Sequence, residues 1–301
     1  MKIIVLGSSG GAPTKRRNCT SFVLTKESYG IMFDCAEGTQ RQLLLAGYKL
    51  SRIRHIFISH LHFDHIAGLV PMLSTKSMFN IPGDVTISGP PGIKEFIEYN
   101  LGLTSSRLDF NVEITEVNDG DELEFEEFKA TVHKLNHRID SFGFRLKFSD
   151  APGNIIKDKL AAYGLAEGPV CGRLKAGEEI TAPDGRAVTL ADVATEPKRG
   201  RVISFAGDTY LCKGLYACVQ DADAAIVEST FLEQNKDRAE ERTHLTARMA
   251  GNVCERSGVK KLILYHFSAS HPDTGEFAKE CTEKFSGAVV AAEDLKEIEI
   301  E

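Results

Sequence analysis

The stretch Ile53-Arg54-His55-Ile56-Phe57-Ile58-Ser59-His60-Leu61-His62-Phe63-Asp64-His65 governs the reading of the whole chain. Its first half is a short apolar run with the length and composition of a buried strand. Its second half places three histidines and one aspartate in six positions, His60 to His65. Neutral imidazole is the commonest metal ligand near neutral pH, and zinc also accepts carboxylate oxygen. If the chain leaves the strand still extended, His60 and His62 point the same way. Asp64 and His65 then lie on a turn entering a helix, where they can face a second ion. A histidine-rich polar loop is the plain alternative. Four of the nine histidines fall within eleven residues when His55 is counted, and that concentration favours metal binding.

Working outward, three more candidate ligands follow apolar strands. His137 lies at the end of a strand, Asp208 follows Val202–Ala206 and Gly207, and His266 follows Lys261–Leu264 and Tyr265. Ligand sites of α/β sheets collect at such carboxyl ends. His55, mid-strand, and His133, on another strand, read as structural, and His271 before Pro272 reads as a bystander. His244 opens a helix in Thr243-His244-Leu245-Thr246, a place that lowers an imidazole pKa. A nearby carboxylate would offset this, and Glu228 is the candidate.

The 301 residues suit one large or two medium domains. Lys2–Leu6, Ser21–Leu24, Ile31–Phe33 and Val85–Ser88 read as strands, and Thr39–Ala46 as a helix stopped by Gly47. A helix is expected from about Ile66 to Met78 with Pro71 placed to kink it. Pro91 is expected at the first position of another, which Phe96–Leu101 continues. Val112 to Phe148 is strand-rich, with Asn118-Asp119-Gly120 as turn chemistry. Ala151–Arg199 differs: it holds four of the ten prolines and six glycines, and only Lys157–Tyr163 suggests a brief helix. It reads as an excursion from the main fold. A second α/β half begins at Arg201, with strands at Val202–Ala206, Ala224–Val227 and Lys261–Leu264 and helices at Ala247–Glu255 and Phe277–Phe285. Two sheets packed face to face with helices outside would bury these faces.

Composition narrows the function. The chain is 42% hydrophobic and 26% charged, as an ordinary soluble enzyme is. Thirty-six basic against 43 acidic residues give a net charge of −7, which disfavours general coating of nucleic acid but leaves room for a local basic patch. No apolar run approaches the roughly 18–20 residues that span a bilayer. Met1–Gly7 reads as a first strand and lacks the features of a signal peptide. Seven scattered cysteines with no Cys-x-x-Cys pair fit a reducing compartment, so a cytoplasmic location is expected.

The cluster His60-x-His62-x-Asp64-His65, with His137, Asp208 and His266 following in order, resembles the signature of the metallo-β-lactamase superfamily. Further stretches resemble the ribonuclease Z family within it. These are Leu6-Gly7-Ser8-Ser9-Gly10-Gly11-Ala12-Pro13, Pro13-Thr14-Lys15-Arg16-Arg17-Asn18 and Asp34-Cys35-Ala36-Glu37-Gly38-Thr39-Gln40. Gly168-Pro169-x-x-Gly172-x-Leu174-Lys175-x-Gly177 and Val227-Glu228-Ser229-Thr230-Phe231 belong with them, as does His244. The chain departs from that family's usual pattern at Ser8 (threonine), Phe63 (glycine), Val227 (histidine) and Ser270 (arginine).

The resemblance implies an α/β fold, a four-layer αβ/βα sandwich over residues 1–301, with residues 151–199 as an inserted flexible, protruding tRNA-binding arm. It implies two zinc ions per chain, one held by His60, His62 and His137, the other by Asp64, His65 and His266, with Asp208 bridging. Asp64 would orient or deprotonate the attacking water, and His244, kept charged by Glu228, would protonate the leaving oxygen. Precursor tRNA would lose its 3′ trailer, leaving a tRNA 3′-hydroxyl and a trailer 5′-phosphate. Lys15, Arg17, Asn18, Gly168, Pro169, Gly172, Arg173, Leu174 and Lys175 would bind substrate, and the enzyme would be a homodimer. Another hydrolase of this fold, acting on small phosphodiesters or sulfate esters, is the alternative. A non-catalytic scaffold is disfavoured because all seven ligands are present.

Overall fold

The computed structural model describes residues 1–300. Side chains alternate across its strands, and the pairing register keeps like faces together. Phe22 pairs with Phe33 and Val23 with Met32 in an antiparallel ladder. Met32 pairs with Ile56 and Phe33 with Phe57 in a parallel one. A one-residue slip would exchange the two faces. The first sheet runs Glu297–Glu299, Lys2–Gly7, Ser21–Lys26, Tyr29–Phe33, Ile53–Phe57, Val85–Gly89, Val112–Glu116. The second runs Ala288–Ala291, Lys261–Tyr265, Ala224–Glu228, Val202–Ala206, Phe142–Phe148, Phe128–Lys134, Glu122–Glu124.

Aromatic side chains join the two sheets. Phe33 stacks on Phe205 with centroids 5.0 Å apart, Phe22 meets Tyr265 edge-on at 5.2 Å, and Phe57 meets Phe144 at 4.9 Å. On the outer face of the first sheet, Val23, Met32, Ile56 and Ile87 pack with Leu43, Leu69, Met72, Leu73, Ile93 and Ile97. Those six belong to helices Thr39–Leu45, Leu69–Met78 and Ile93–Leu103. Helix Ala247–Arg256 covers the second sheet and packs on helix Gly275–Thr282. The result is an αβ/βα sandwich. No helix among the described residues is long and apolar enough to cross a membrane.

Five local expectations are corrected. The helix expected from Ile66 to Met78 is two, Phe63–Ile66 and Leu69–Met78. The break falls at Gly68, where a Cβ would lie 1.9 Å from the Ala36 carbonyl oxygen. Pro71 produces no kink, because it sits in the first turn of the second helix, where a missing N–H leaves no bond unmade. Pro91 precedes its helix: Gly92, at φ 94°, is the N-cap of Ile93–Leu103. His137 lies in the loop beyond Phe128–Lys134 rather than at the strand's end. His244 lies two residues before Thr246, the N-cap of Ala247–Arg256, whose hydroxyl accepts from Met249 N.

The chain divides into two compact units. One comprises Met1–Phe125, Ala130–Leu146 and the chain from Val202 onward, and the other Lys147–Arg201 with Glu126–Lys129. The second has its own small core of Leu160, Leu174, Ile180, Ala182, Val188 and Val193. It contains helix Lys157–Ala162, helix Pro169–Lys175, a hairpin pairing Ile180–Thr181 with Ala187–Val188, and helix Leu190–Val193 closed by a Thr189/Asp192 capping box. Only the first of these was expected: the two-residue strands and the four-residue helix are too short to show a period, and Pro169–Lys175 opens on Gly-Pro, which reads as a turn.

Two glycines give opposite expectations. Gly68→Ala should lower stability by about 1–3 kcal/mol, since backbone must move to admit the methyl. Gly102, in helix Ile93–Leu103, has nothing within 4 Å of a Cβ. Gly102→Ala should raise stability by about 0.5–1 kcal/mol through the unfolded chain. Urea unfolding midpoints for both variants, measured against the parent, check the pair.

Candidate metal centre

The candidate ligands arrive from both sheets. Ile53–Phe57 leads to His60 and His62 and then to Asp64 and His65 on helix Phe63–Ile66. The second sheet contributes His137 from a loop, Asp208 after Val202–Ala206 and His266 after Lys261–Tyr265. In space they form two groups. His60, His62, His137 and Asp208 each offer a ligand atom within 4.8 Å of one another, and so do Asp64, His65 and His266. Asp208 joins the two: its Oδ2 lies 3.2 Å from His266 Nε2, 3.5 Å from His65 Nε2 and 3.7 Å from His60 Nε2. His60, His65, Asp208 and His266 are buried.

Hydrogen bonds from behind fix the tautomers. His65 Nδ1 lies 2.6 Å from Asp34 Oδ2, so it carries the proton. Ser59 Oγ donates to Asp34 and therefore accepts from His60 Nδ1 at 3.0 Å. Thr230 Oγ1 donates to Glu228 Oε2 and accepts from His266 Nδ1 at 2.8 Å. His137 Nδ1 faces the Thr243 carbonyl at 3.2 Å, which can only accept. Each imidazole is left with an Nε2 lone pair directed into the site.

Those lone pairs converge. His65 Nε2 lies 3.3 Å from His266 Nε2, which is 3.3 Å from Asp64 Oδ2. His137 Nε2 lies 3.4 Å from His62 Nδ1. His60 Nε2 and Asp208 Oδ1 are buried with no hydrogen-bond partner. Acceptors facing acceptors repel, and a cation among them removes that repulsion while satisfying both orphans. Burial opposes charge on His65, but Asp208, Asp34 and Asp64 outweigh it and raise its pKa, so these carboxylates favour positive charge at this place, carried by a proton or by a metal ion. The residues therefore fit a divalent metal.

A third group, Asp208, His244 and His266, overlaps these two, and within it His244 forms an acid–base pair with Glu228. His244 Nδ1 lies 2.8 Å from Glu228 Oε1, both buried. Burial pulls the His244 pKa down. The Glu228 charge and hydrogen bond, with the charge of Asp208, outweigh it and raise the pKa to about 9. The helix-opening position expected to depress it does not apply, since the helix starts later.

The expected substrate residues are dispersed. Lys15 and Arg16 are exposed. Arg17 is buried, its guanidinium donating to the carbonyls of His271 and Ser268. Asn18 donates its side-chain amide to the Glu37 carbonyl and its N–H to Asp294. Arg173 and Lys175 are exposed, with Arg173 bonded to Glu178, whereas Leu174 is in the core of its unit. His55 bonds Thr86 and takes no part in the site.

Sequence reasoning missed two sets of residues. Asp34, Ser59, Thr230 and Thr243 orient the candidate ligands, and although all four lay within quoted stretches none was given that role. Arg138, Arg238 and Arg242 line the same pocket, a cavity of about 310 Å³ holding Asp64, Asp208, His244 and His266. The only sequence signal for Arg138 was its place next to His137. Phe63, 74% exposed, lines the pocket too. Gly10 is required sterically, since a Cβ there would lie 2.5 Å from His266 Nδ1.

The chain has known relatives. Residues 1–156 match the family described as Anti-Pycsar protein Apyc1. Ribonuclease Z of Bacillus licheniformis is 36% identical over 306 residues, covering 100% of this chain and 99% of the relative. Ribonuclease Z of Rippkaea orientalis is 38% identical, covering 89% of this chain and 86% of its own. The crystal structure of human tRNase Z, short form, superposes with a TM-score of 0.72 at 27% identity over the whole of both chains. Residues 1–156 fall in the family of the first match, and over its full length the chain belongs to the ribonuclease Z family.

Proposed function

We propose that this chain is a zinc-dependent endoribonuclease that removes the 3′ trailer from precursor tRNA, leaving a tRNA 3′-hydroxyl and a trailer 5′-phosphate. The observation that carries the reading is the coexistence, in a full-length ribonuclease Z relative, of the two ligand groups and the Glu228–His244 pair around one pocket. Two zinc ions are proposed, one among His60, His62 and His137 and one among Asp64, His65 and His266, with Asp208 reaching both. Bound there, such ions would polarise the scissile phosphate and acidify a water.

The chain's own residues do the rest. Asp64 accepts from Gly11 N at 2.7 Å through Oδ2 and stays ionised, since burial opposes its charge but His65 and His266 outweigh it. It orients the attacking water and takes its proton. The water oxygen bonds to phosphorus as the bond from phosphorus to the 3′ oxygen breaks. His244, held by Glu228 through Nδ1, delivers its Nε2 proton to that 3′ oxygen. The experiment is incubation of the protein with a 3′-extended precursor tRNA and mapping of the cut. A single cut at the trailer boundary with the stated ends is expected, and no cut or a scattered set overturns the reading. His244→Ala should keep its metal and lose about 10²–10⁴ in turnover.

The unit built on residues 151–199 is proposed to grip the tRNA. Gly172 lies inside helix Pro169–Lys175, yet nothing lies within 4 Å of a Cβ there. Among the described residues no contact requires a glycine at that place, and a phosphate approaching the backbone would. Replacing Ala151–Pro197 by a short flexible linker should cripple precursor-tRNA cleavage while sparing hydrolysis of bis(p-nitrophenyl) phosphate. Equal loss on both substrates would count against a purely positioning role.

A homodimer is supported by an apolar face on helices Thr39–Leu45 and Leu69–Met78. Leu44, Leu45, Met78 and Phe79 are 80%, 53%, 74% and 69% exposed beside a cavity of about 730 Å³. Patches of this kind mark association surfaces. Analytical ultracentrifugation should find a dimer that Leu44→Glu with Phe79→Glu converts to monomer. A monomeric parent protein removes the proposal. Seven free cysteines support a reducing, cytoplasmic setting.

A further inference from the structure

The rim of the site pocket runs against the acidic balance of the chain. Arg138, Arg238 and Arg242 all line it and all are exposed. They come from two places: Arg138 from the loop that carries His137, the others from helix Lys236–Glu241 and its C-cap. Among the described residues no carboxylate pairs with any of the three guanidinium groups. Arg238 lies over the Phe231 ring, 5.5 Å from its centroid, which limits its freedom. The charge of Arg138 is felt inside the pocket, where it opposes protonation of both His62 and His244.

Three like charges around one opening repel one another, and each long side chain loses rotamer entropy when it is used. Three guanidinium groups gathered from two segments at one mouth, with no carboxylate bonded to them among the described residues, point to an anion from outside. Ser270 is neutral and supplies no such charge, and its hydroxyl meets Ser268 Oγ at 2.9 Å. A guanidinium presents a planar fork that takes two phosphate oxygens, which an ammonium cannot do.

We propose that Arg138 and Arg242, aided by Arg238, grip the RNA phosphates next to the scissile bond, in place of the positive charge that Ser270 does not supply. They are positioning residues: they seat the strand over the site, while Asp64 and His244 handle protons. This inference rests on the precursor-tRNA reading above.

The test is the salt dependence of kcat/KM for precursor-tRNA cleavage. Arg138→Ala and Arg242→Ala should each flatten the slope against log salt by about 0.7–0.9. KM should rise about tenfold or more, with a smaller change in kcat, as loss of a charge-assisted contact requires. Arg242→Lys should restore the slope but not the full affinity. Lys284→Ala, an exposed change outside the pocket, removes the same charge and should leave the slope as it was. Where an alanine variant fails to fold, Arg138→Gln and Arg242→Gln preserve volume and should show the same flattening. Unchanged slopes in the arginine variants, or equal flattening by Lys284→Ala, overturn the inference while leaving the cleavage reading intact. A parent protein that does not cut precursor tRNA overturns both.

Discussion

The site depends on one electrostatic constraint: imidazole and carboxylate lone pairs held facing one another in a buried nest. Asp34, Ser59, Thr230 and Thr243 each engage an Nδ1 of a ligand histidine, which turns the Nε2 lone pairs of His60, His65, His137 and His266 inward. Without a cation the inward Nε2 lone pairs of His65 and His266 repel across 3.3 Å. The surrounding fold has to hold them there. It does so by bringing strand ends from two sheets to one edge and locking the sheets through stacked aromatics behind them.

The backbone bears a cost at the same place. Asp34, Thr243 and His266 adopt φ of 53°, 57° and 60°, in the left-handed region that side chains rarely enter. Each costs on the order of 1–3 kcal/mol and persists only where packing over-determines it. Two of them orient ligands and the third is a candidate ligand, so strain is concentrated where direction matters. The β-branched Thr243 presents both its carbonyl and its hydroxyl to His137 Nδ1, at 3.2 and 2.9 Å, and is followed directly by His244. It links the metal nest to the acid–base pair.

What was legible in the sequence follows from how it is encoded. Consecutive ligands on one strand-to-helix turn announce themselves by residue type and spacing, and the order of His137, Asp208 and His266 suited the same design. Orienting groups do not, because Asp34 and His65 meet only after the sheet forms. The break at Gly68 was hidden for a related reason: its cause is the Ala36 carbonyl, distant in sequence. Leu174 reads as a contact residue only through the resemblance of Gly168–Gly177 to an arm tip, yet it fills a core whose short elements have no visible period. The arginine rim was masked by the acidic net charge of −7, which reports a sum and says nothing of where the cations gather.

Metal content tests the central claim most directly. Elemental analysis of protein purified without added metal should find more than one equivalent of metal per chain. The count should fall in His65→Ala and also in Asp34→Asn, although Asp34 bonds the outer nitrogen of His65 and faces no ion. A parent chain that retains no metal, or an Asp34→Asn variant that keeps the full count, would contradict the account.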